Sequence, residues 1–331
     1  MICFPNAKIN FGLSIDNVKR SDRLHNINSI FLPIKLCDAL EVIEYSNQTE
    51  NIQINYSGLV QKIDNDLCVK AYNLLHNDFN IPKVKVYLHK CIPIGSGLGG
   101  GSSNAVHMLK ILNNMFKLKL TKKDLLIYAI KLGSDCSFFV YNEPSIVSGF
   151  GNLIKPFRFR FVSKIHIENE FKLVLVIPKK ISISTASIFS HWDKTNNQLY
   201  SVKNQKLKTN THQEGLNINL IESIINQYEY VEDYVFWNQL PISESEKRLN
   251  NNYENNNRFS YITNELEDSV FFKYPDLKTI KFNLMKKGAL YASMSGSGSV
   301  FYAIFSKKNN LGDLSFLKDD FLIWEEDFNY N

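Results

Sequence analysis

The chain has 331 residues, a formal net charge of +5, an apolar fraction of 44% and a charged fraction of 21%. That length allows a sizeable core and two domains, and the balance is that of a globular protein, not a disordered or fibrous one. No apolar run approaches the roughly 18 residues of a membrane-spanning helix, and the mild positive charge, without a long basic run, suits small polyanions better than nucleic acid.

Taken in chain order, "MICFPNAKINFGL" leads directly into a folded segment, so the reading expects no signal or transit peptide and a cytoplasmic location. "AKINFGLSI" reads as a strand. Lys8 stands out in it, because a lysine inside an apolar strand either snorkels to water or has a task. "NDLCVKAYNLLHNDF" reads as a helix through Leu67, Ala71, Leu74 and Leu75. "KVKVYLHK" alternates Val84, Val86 and Leu88 against polar neighbours, the pattern of a half-buried strand. It runs into "PIGSGLGGGSSNAV", where five of the chain's 15 glycines stand close together. Beyond them Ala105, Met108, Leu109, Leu112, Met115 and Phe116 recur at helical spacing, which predicts a helix beginning near Ser102 or Ser103.

Strand, glycine loop and helix together form an anion cradle. Backbone amides reach a phosphate closely where Cβ atoms are missing, and a helix N-terminus adds free N–H groups and a positive dipole end. The Walker pattern is absent, since no lysine follows the glycines. A literal G-x-G-x-x-G occurs at Gly95, Gly97 and Gly100. The region about 20 residues further on is a helix start, not the acidic strand end that a dinucleotide fold requires.

"TKKDLLIYAIKLG" predicts a second helix, with Thr121 and Asp124 as a capping box and Gly133 as the stop. Asp135 follows in "LGSDCSFFV", against an apolar run; it caps the next short helix or serves the chemistry. "FKLVLVIP" is a buried strand. Residues 193–213 and 247–257 read as polar surface insertions. "PDLKTIKFNLMKKG" predicts a helix ending at Gly288, "ALYASMSGSGSVFYAIF" a strand, glycine turn and strand, and the acidic tail a surface helix or strand. Five scattered cysteines without C-x-x-C, and seven histidines without H-E-x-x-H, predict reduced thiols and no zinc site. Phosphate loop, carboxylate and lysine are the inventory of phosphoryl transfer to a hydroxyl.

"PIGSGLGGGSSNA" closely resembles the phosphate loop of the GHMP kinases, and "PNAKINFGL", "LGSDCSFF" and "MSGSGSVFYAIF" resemble their other signatures in the right order. The A-K-I-N opening is similar to the branch acting on a cytidine-diphosphate sugar alcohol of the non-mevalonate isoprenoid pathway, and separates the chain from the mevalonate and homoserine branches. The resemblance covers about residues 1–190 and 262–305. It implies an α+β fold of two domains: an N-terminal α/β nucleotide-binding domain (residues 1–163) and a C-terminal ferredoxin-like domain (residues 164–331), with a cleft between them. It implies ATP with Mg²⁺, a small-molecule acceptor phosphorylated on its 2-hydroxyl, and neither nucleic acid nor membrane as partner.

By match, Asp135 is the base and Lys8 holds it ionised and contacts the reacting groups. Pro93, Gly95, Ser96, Gly97, Leu98, Gly99, Gly100, Gly101, Ser102 and Ser103 cradle the ATP phosphates, and Asn65 meets the nucleoside. Asn10 places the erythritol part. His25, Phe31, Thr185 and Phe189 belong to the acceptor's side, and Gly296 and Gly298 to a second glycine loop that closes near the acceptor or is a plain hairpin turn. No protein ligand for the metal stands out. One departure is visible: where the family has R-x-D-G-Y-H, Arg23 and Leu24 replace the glycine and the tyrosine that stacks on cytosine. Loss of one stacking face predicts binding weaker by about 1–3 kcal/mol. Another small-alcohol kinase of this fold and a non-catalytic nucleotide sensor are the rival readings. The sensor needs neither Lys8 nor Asp135.

Overall fold

The computed structural model describes residues 1–19, 24–46, 49–60, 62–157, 171–206, 262–307, 314, 317 and 319–328, without the side chains of 17–19 and 197–206. Arg23, residues 207–213 and the Asn-rich stretch 247–257 lie outside them. In chain order the elements are β1 (Ile2–Cys3), β2 (Asn6–Lys19), β3 (His25–Cys37), β4 (Ala39–Glu44), β5 (Ile52–Gly58), α1 (Leu67–Phe79), β6 (Val84–Lys90), α2 (Gly100–Met115), α3 (Lys122–Leu132) and α4 (Cys136–Tyr141). There follow β7 (Ser145–Ser148), β8 (Leu153–Pro156), β9 (Phe171–Pro178), α5 (Thr185–Lys206), α6 (Glu267–Lys273), α7 (Asp276–Lys286), β10 (Tyr291–Met294), β11 (Phe301–Ser306) and β12 (Phe321–Asp327).

Three four-stranded sheets result, ordered β1-β4-β6-β5, β2-β3-β7-β8 and β10-β11-β9-β12. In the first, β5 and β6 are parallel, so the chain must cross over between them, and α1 is that crossover. The alternation read in β6 buries Val84, Val86 and Leu88 under α1, α2 and α3, each side chain contributing about 1.5–3 kcal/mol. The second and third sheets share a core. Ile9, Phe11 and Leu32 of β2 and β3 meet Leu173, Leu175 and Tyr302 of β9 and β11. Val174 and Val176 on the other face of β9 are buried with α5, α6 and α7. That is why "FKLVLVIP" is apolar at every second position and in between as well.

Local signals held at several ends. Thr121 and Asp124 form the reciprocal capping box of α3, and Asp66 caps α1 by accepting from Cys68 N. The acidic tail is the edge strand β12, antiparallel to β9. Two expectations need correction. Helix α2 starts at Gly100, ahead of Ser102 and Ser103, because left-handed Gly99 serves as the cap and lets the glycines form the first turn. Residues 193–206, read as part of a polar insertion, continue α5, whose inner side is anchored by buried Ile188 and Trp192.

Candidate active site

Beyond Lys90 the glycine loop runs along the floor of a cleft of about 970 Å³. Its tightness comes mostly from the protein itself. A Cβ on Gly97 would stand 1.9 Å from the carbonyl oxygen of Ser295, a backbone atom that cannot swing away. Gly101 differs: nothing but Leu67 Cδ1, at 3.9 Å, comes near, and the residue is exposed to the cleft. The first turn of α2 therefore offers amides with no capping side chain to a ligand, at the positive end of a 16-residue helix.

Beneath the loop lies a polar bed that the sequence did not single out. Asp38 Oδ1 accepts from the backbone N–H of Cys91 (2.7 Å) and Ile92 (2.8 Å). Its Oδ2 accepts from Lys90 Nζ and, at 2.9 Å, from Asn104 Nδ2. Lys90 also reaches Asn104 Oδ1 at 2.9 Å, and all three residues are buried. Behind α2, His107 donates Nδ1–H to the Ser103 carbonyl, and burial pushes its pKa down to about 4.

The reacting end is built from β2 and the start of α4. Backbone Lys8 N donates to Leu98 O at 3.0 Å, which ties β2 to the glycine loop. Lys8 is 2% exposed, so it does not snorkel. Its ammonium lies 3.3 Å from Asp135 Oδ2, donates to Asn10 Oδ1 and sits 4.5 Å from the centre of the Phe31 ring. Burial lowers the Lys8 pKa below its ordinary value, opposed by the Asp135 charge. Asp135 occupies the N-cap position of α4 but makes no capping hydrogen bond; its carboxylate turns to Lys8 instead. The second glycine loop joins β10 to β11, so it is a hairpin turn, and it also touches the site. Ser295 Oγ accepts from Asn10 N at 3.3 Å and donates to Gly97 O at 3.0 Å.

His25 and Phe189 wall another part of the cleft, their rings nearly parallel with centroids 6.4 Å apart, and buried Trp192 backs His25 edge-on at 5.2 Å. His25 Nδ1 meets Asp16 O at 2.7 Å, and Nε2 meets Asp193 Oδ1 at 2.6 Å. Asp193 on α5 escaped the sequence reading because its segment looked like a polar insertion.

The chain matches the model of the GHMP kinases N terminal domain over residues 66–143 and that of the GHMP kinases C terminal over residues 243–315. It is 37% identical to 4-diphosphocytidyl-2-C-methyl-D-erythritol kinase of Azobacteroides pseudotrichonymphae over 309 residues, 93% of this chain and 94% of the relative. It is 36% identical to the enzyme of the same name from Bacteroides fragilis, with 96% of each chain covered. This chain belongs to the 4-diphosphocytidyl-2-C-methyl-D-erythritol kinase family, among the GHMP kinases. A crystal structure of 4-(cytidine 5'-diphospho)-2C-methyl-D-erythritol kinase superposes over 100% of both chains at TM-score 0.68 and 22% identity. Methanococcus jannaschii mevalonate kinase does so over 99% and 98% at TM-score 0.64 and 16%. These two likenesses speak for the fold.

In this kinase most of the residues expected from sequence meet on one cleft: Lys8, Asn10 and Asp135 at the reacting end, Asn65 and Pro93 beside the loop. Gly95, Ser96, Gly97, Gly99, Gly100, Gly101 and Ser102 line its floor. His25, Phe31, Thr185, Phe189 and Gly296 line the rest, with Thr185 Oγ1 2.7 Å from Ser297 Oγ across the mouth. Three are not on its wall. The Leu98 side chain is buried in the shared core, Ser103 faces into α2 toward His107, and Gly298 packs against Met294 and Ile183. Leu24, the departure noted in the sequence, lines the cleft and is 52% exposed.

Proposed function

We infer that the protein transfers the terminal phosphoryl group of ATP to the 2-hydroxyl of 4-diphosphocytidyl-2-C-methyl-D-erythritol, a step of the non-mevalonate isoprenoid precursor pathway. The observation that carries this reading is the Lys8–Asp135 pair, 3.3 Å apart beside the glycine loop. Asp135 is about one-third exposed, and its second oxygen has no partner among the described residues, so it can accept the hydroxyl proton. Lys8 is held dry by Phe31 and Asn10, where its charge acts most strongly on the carboxylate and on the transferring phosphoryl group. The α2 amides and Ser102 hold the phosphates, and Asn65 borders the nucleoside. His25, Phe189 and Leu24 supply the base-binding end.

Mg²⁺ fits the site as a phosphate-bound ion. Among the described residues no three His, Cys, Asp or Glu side chains gather to hold a metal, and Ser102 and Asp135 are among the oxygen donors on the cleft wall. When bound, it neutralises phosphate charge. Among the described residues no helix is long and apolar enough to cross a membrane, and a cytoplasmic location is part of this reading.

The test is ADP release from Mg-ATP by purified protein, with and without the cytidyl acceptor, wild type beside Asp135→Asn. Acceptor-dependent release that disappears in the variant is expected. ATP binding without release would move the search to other alcohols, for which Leu24 is the reason in this chain.

A further inference from the structure

Residues 262–266 run beside β2, the strand that carries Lys8 and Asn10. Leu13 N donates to Thr263 O and Glu265 N to Leu13 O, each at 2.9 Å. From this position the buried side chain of Asn264 reaches the second glycine loop. Its Nδ2 donates to Met294 O at 2.9 Å and to Gly296 O at 2.7 Å, so both amide hydrogens are used. Its Oδ1 accepts from Leu266 N at 3.0 Å. The amide can therefore have only one orientation. One turn on, the buried carboxylate of Glu267 accepts from Ser293 Oγ and Met294 N, both at 2.8 Å, and pairs with Lys281. Four points thus hold residues 293–296.

What they hold is the piece of backbone that touches the reacting end. Ser295 Oγ lies between Asn10 N and Gly97 O, and a Cβ on Gly296 would stand 3.2 Å from Asn10 Oδ1, the acceptor of the Lys8 ammonium. We propose that Asn264 is a positioning residue for phosphoryl transfer: by fixing the Gly296 carbonyl it sets Ser295 against Asn10 and Gly97, and so places Lys8 relative to the phosphate loop. It touches neither the acceptor nor ATP. The proposal rests on the kinase reading above, and it names which part of the C-terminal half of the chain keeps the N-terminal catalytic strand in register with the loop.

The sharpest substitution is Asn264→Asp, which keeps the shape but turns carboxylate oxygens toward two carbonyls. Turnover of Mg-ATP and the cytidyl acceptor is measured together with the ATP dissociation constant and the melting temperature. The expected result is a kcat lower by about 10- to 100-fold, the size of effect that a small misplacement causes, with KM for both substrates changed less than about threefold. Because Asn264→Asp can also weaken the fold, Ser295→Ala reads the same path from its other end, and it should lower kcat with ATP affinity retained. The double variant should lose no more than the larger single loss, since both act through one contact. Wild-type kcat in Ser295→Ala, or multiplicative losses in the double variant, overturns the proposal and leaves the kinase reading standing. A wild type that does not turn over overturns both.

Discussion

Two lysine–aspartate pairs flank the glycine loop, and they are finished differently. In the Lys90–Asp38 pair the side chains are 2% and 0% exposed, and each Asp38 oxygen accepts two donors. In the Lys8–Asp135 pair the lysine is equally buried, but Asp135 is 31% exposed and has given up its capping bond. The first pair is saturated and fixes the end of β6 and the start of the glycine loop to Asp38, between β3 and β4. The second is left incomplete on the side that faces the cleft, which is what a proton acceptor requires. Burial and a charged partner are common to both, so neither distinguishes a catalytic pair from a structural one. On the proposed reading, the unspent hydrogen-bonding capacity of Asp135 is what marks its pair as the catalytic one.

Substitution of the two aspartates separates them most widely. Asp135→Asn should lower kcat by about 10²- to 10⁴-fold, the usual contribution of a general base, with ATP affinity and the unfolding midpoint near wild type. Asp38→Asn should do the reverse. It leaves Lys90 buried beside a neutral group, and a broken buried pair costs about 3–5 kcal/mol, read in a urea titration. Equal stability losses in the two variants would sink the comparison.

Next in size is the pH response of Lys8. Burial lowers its pKa below 10.5 in the folded chain, and in the proposed mechanism the charged form is the working one. The alkaline limb of the kcat/KM profile should therefore fall as pH rises through that lowered value, before 10.5. Stability should move the other way. Between the lowered value and 10.5 the unfolded chain binds the extra proton, so rising pH favours the fold. A limb at or above 10.5 would mean that Lys8 is not the group that titrates. Smallest is Leu24→Tyr, at an exposed position on the cleft wall. It should lower KM for the cytidyl acceptor without changing kcat, and an unchanged KM would remove position 24 from the base-binding wall.

Much of this was legible from residues alone. "KVKVYLHK", the glycines, "TKKD" and "FKLVLVIP" are local patterns, and each became the element its spacing dictates. Lys8 and Asp135 were conspicuous because each is a charge set among apolar neighbours. The saturated bed under the loop was invisible, because Asp38, Lys90 and Asn104 lie far apart in the chain and each looks ordinary among its neighbours. Asp193 and Asn264 were missed for a related reason: their partners, His25 and the carbonyls of residues 294 and 296, are supplied by other segments. The purpose of the glycines was half legible. That backbone amides come close to a ligand where Cβ is missing was foreseen, but the atom that forbids a side chain on Gly97 belongs to Ser295.

That contact joins the two ends of the molecule. Asn10 and Ser295 are 285 positions apart and meet through one hydroxyl. A growing chain can form β6, α2 and even the Lys8–Asp135 pair while its C-terminal half is still missing, and so can possess a phosphate cradle before Ser295 is there to join Asn10 to Gly97. Joining the two ends is the step with the largest loop-closure entropy, and it comes last by topology. Nucleotide affinity alone therefore says little about whether a molecule is finished, whereas turnover should report that β2 and the β10–β11 hairpin have found each other.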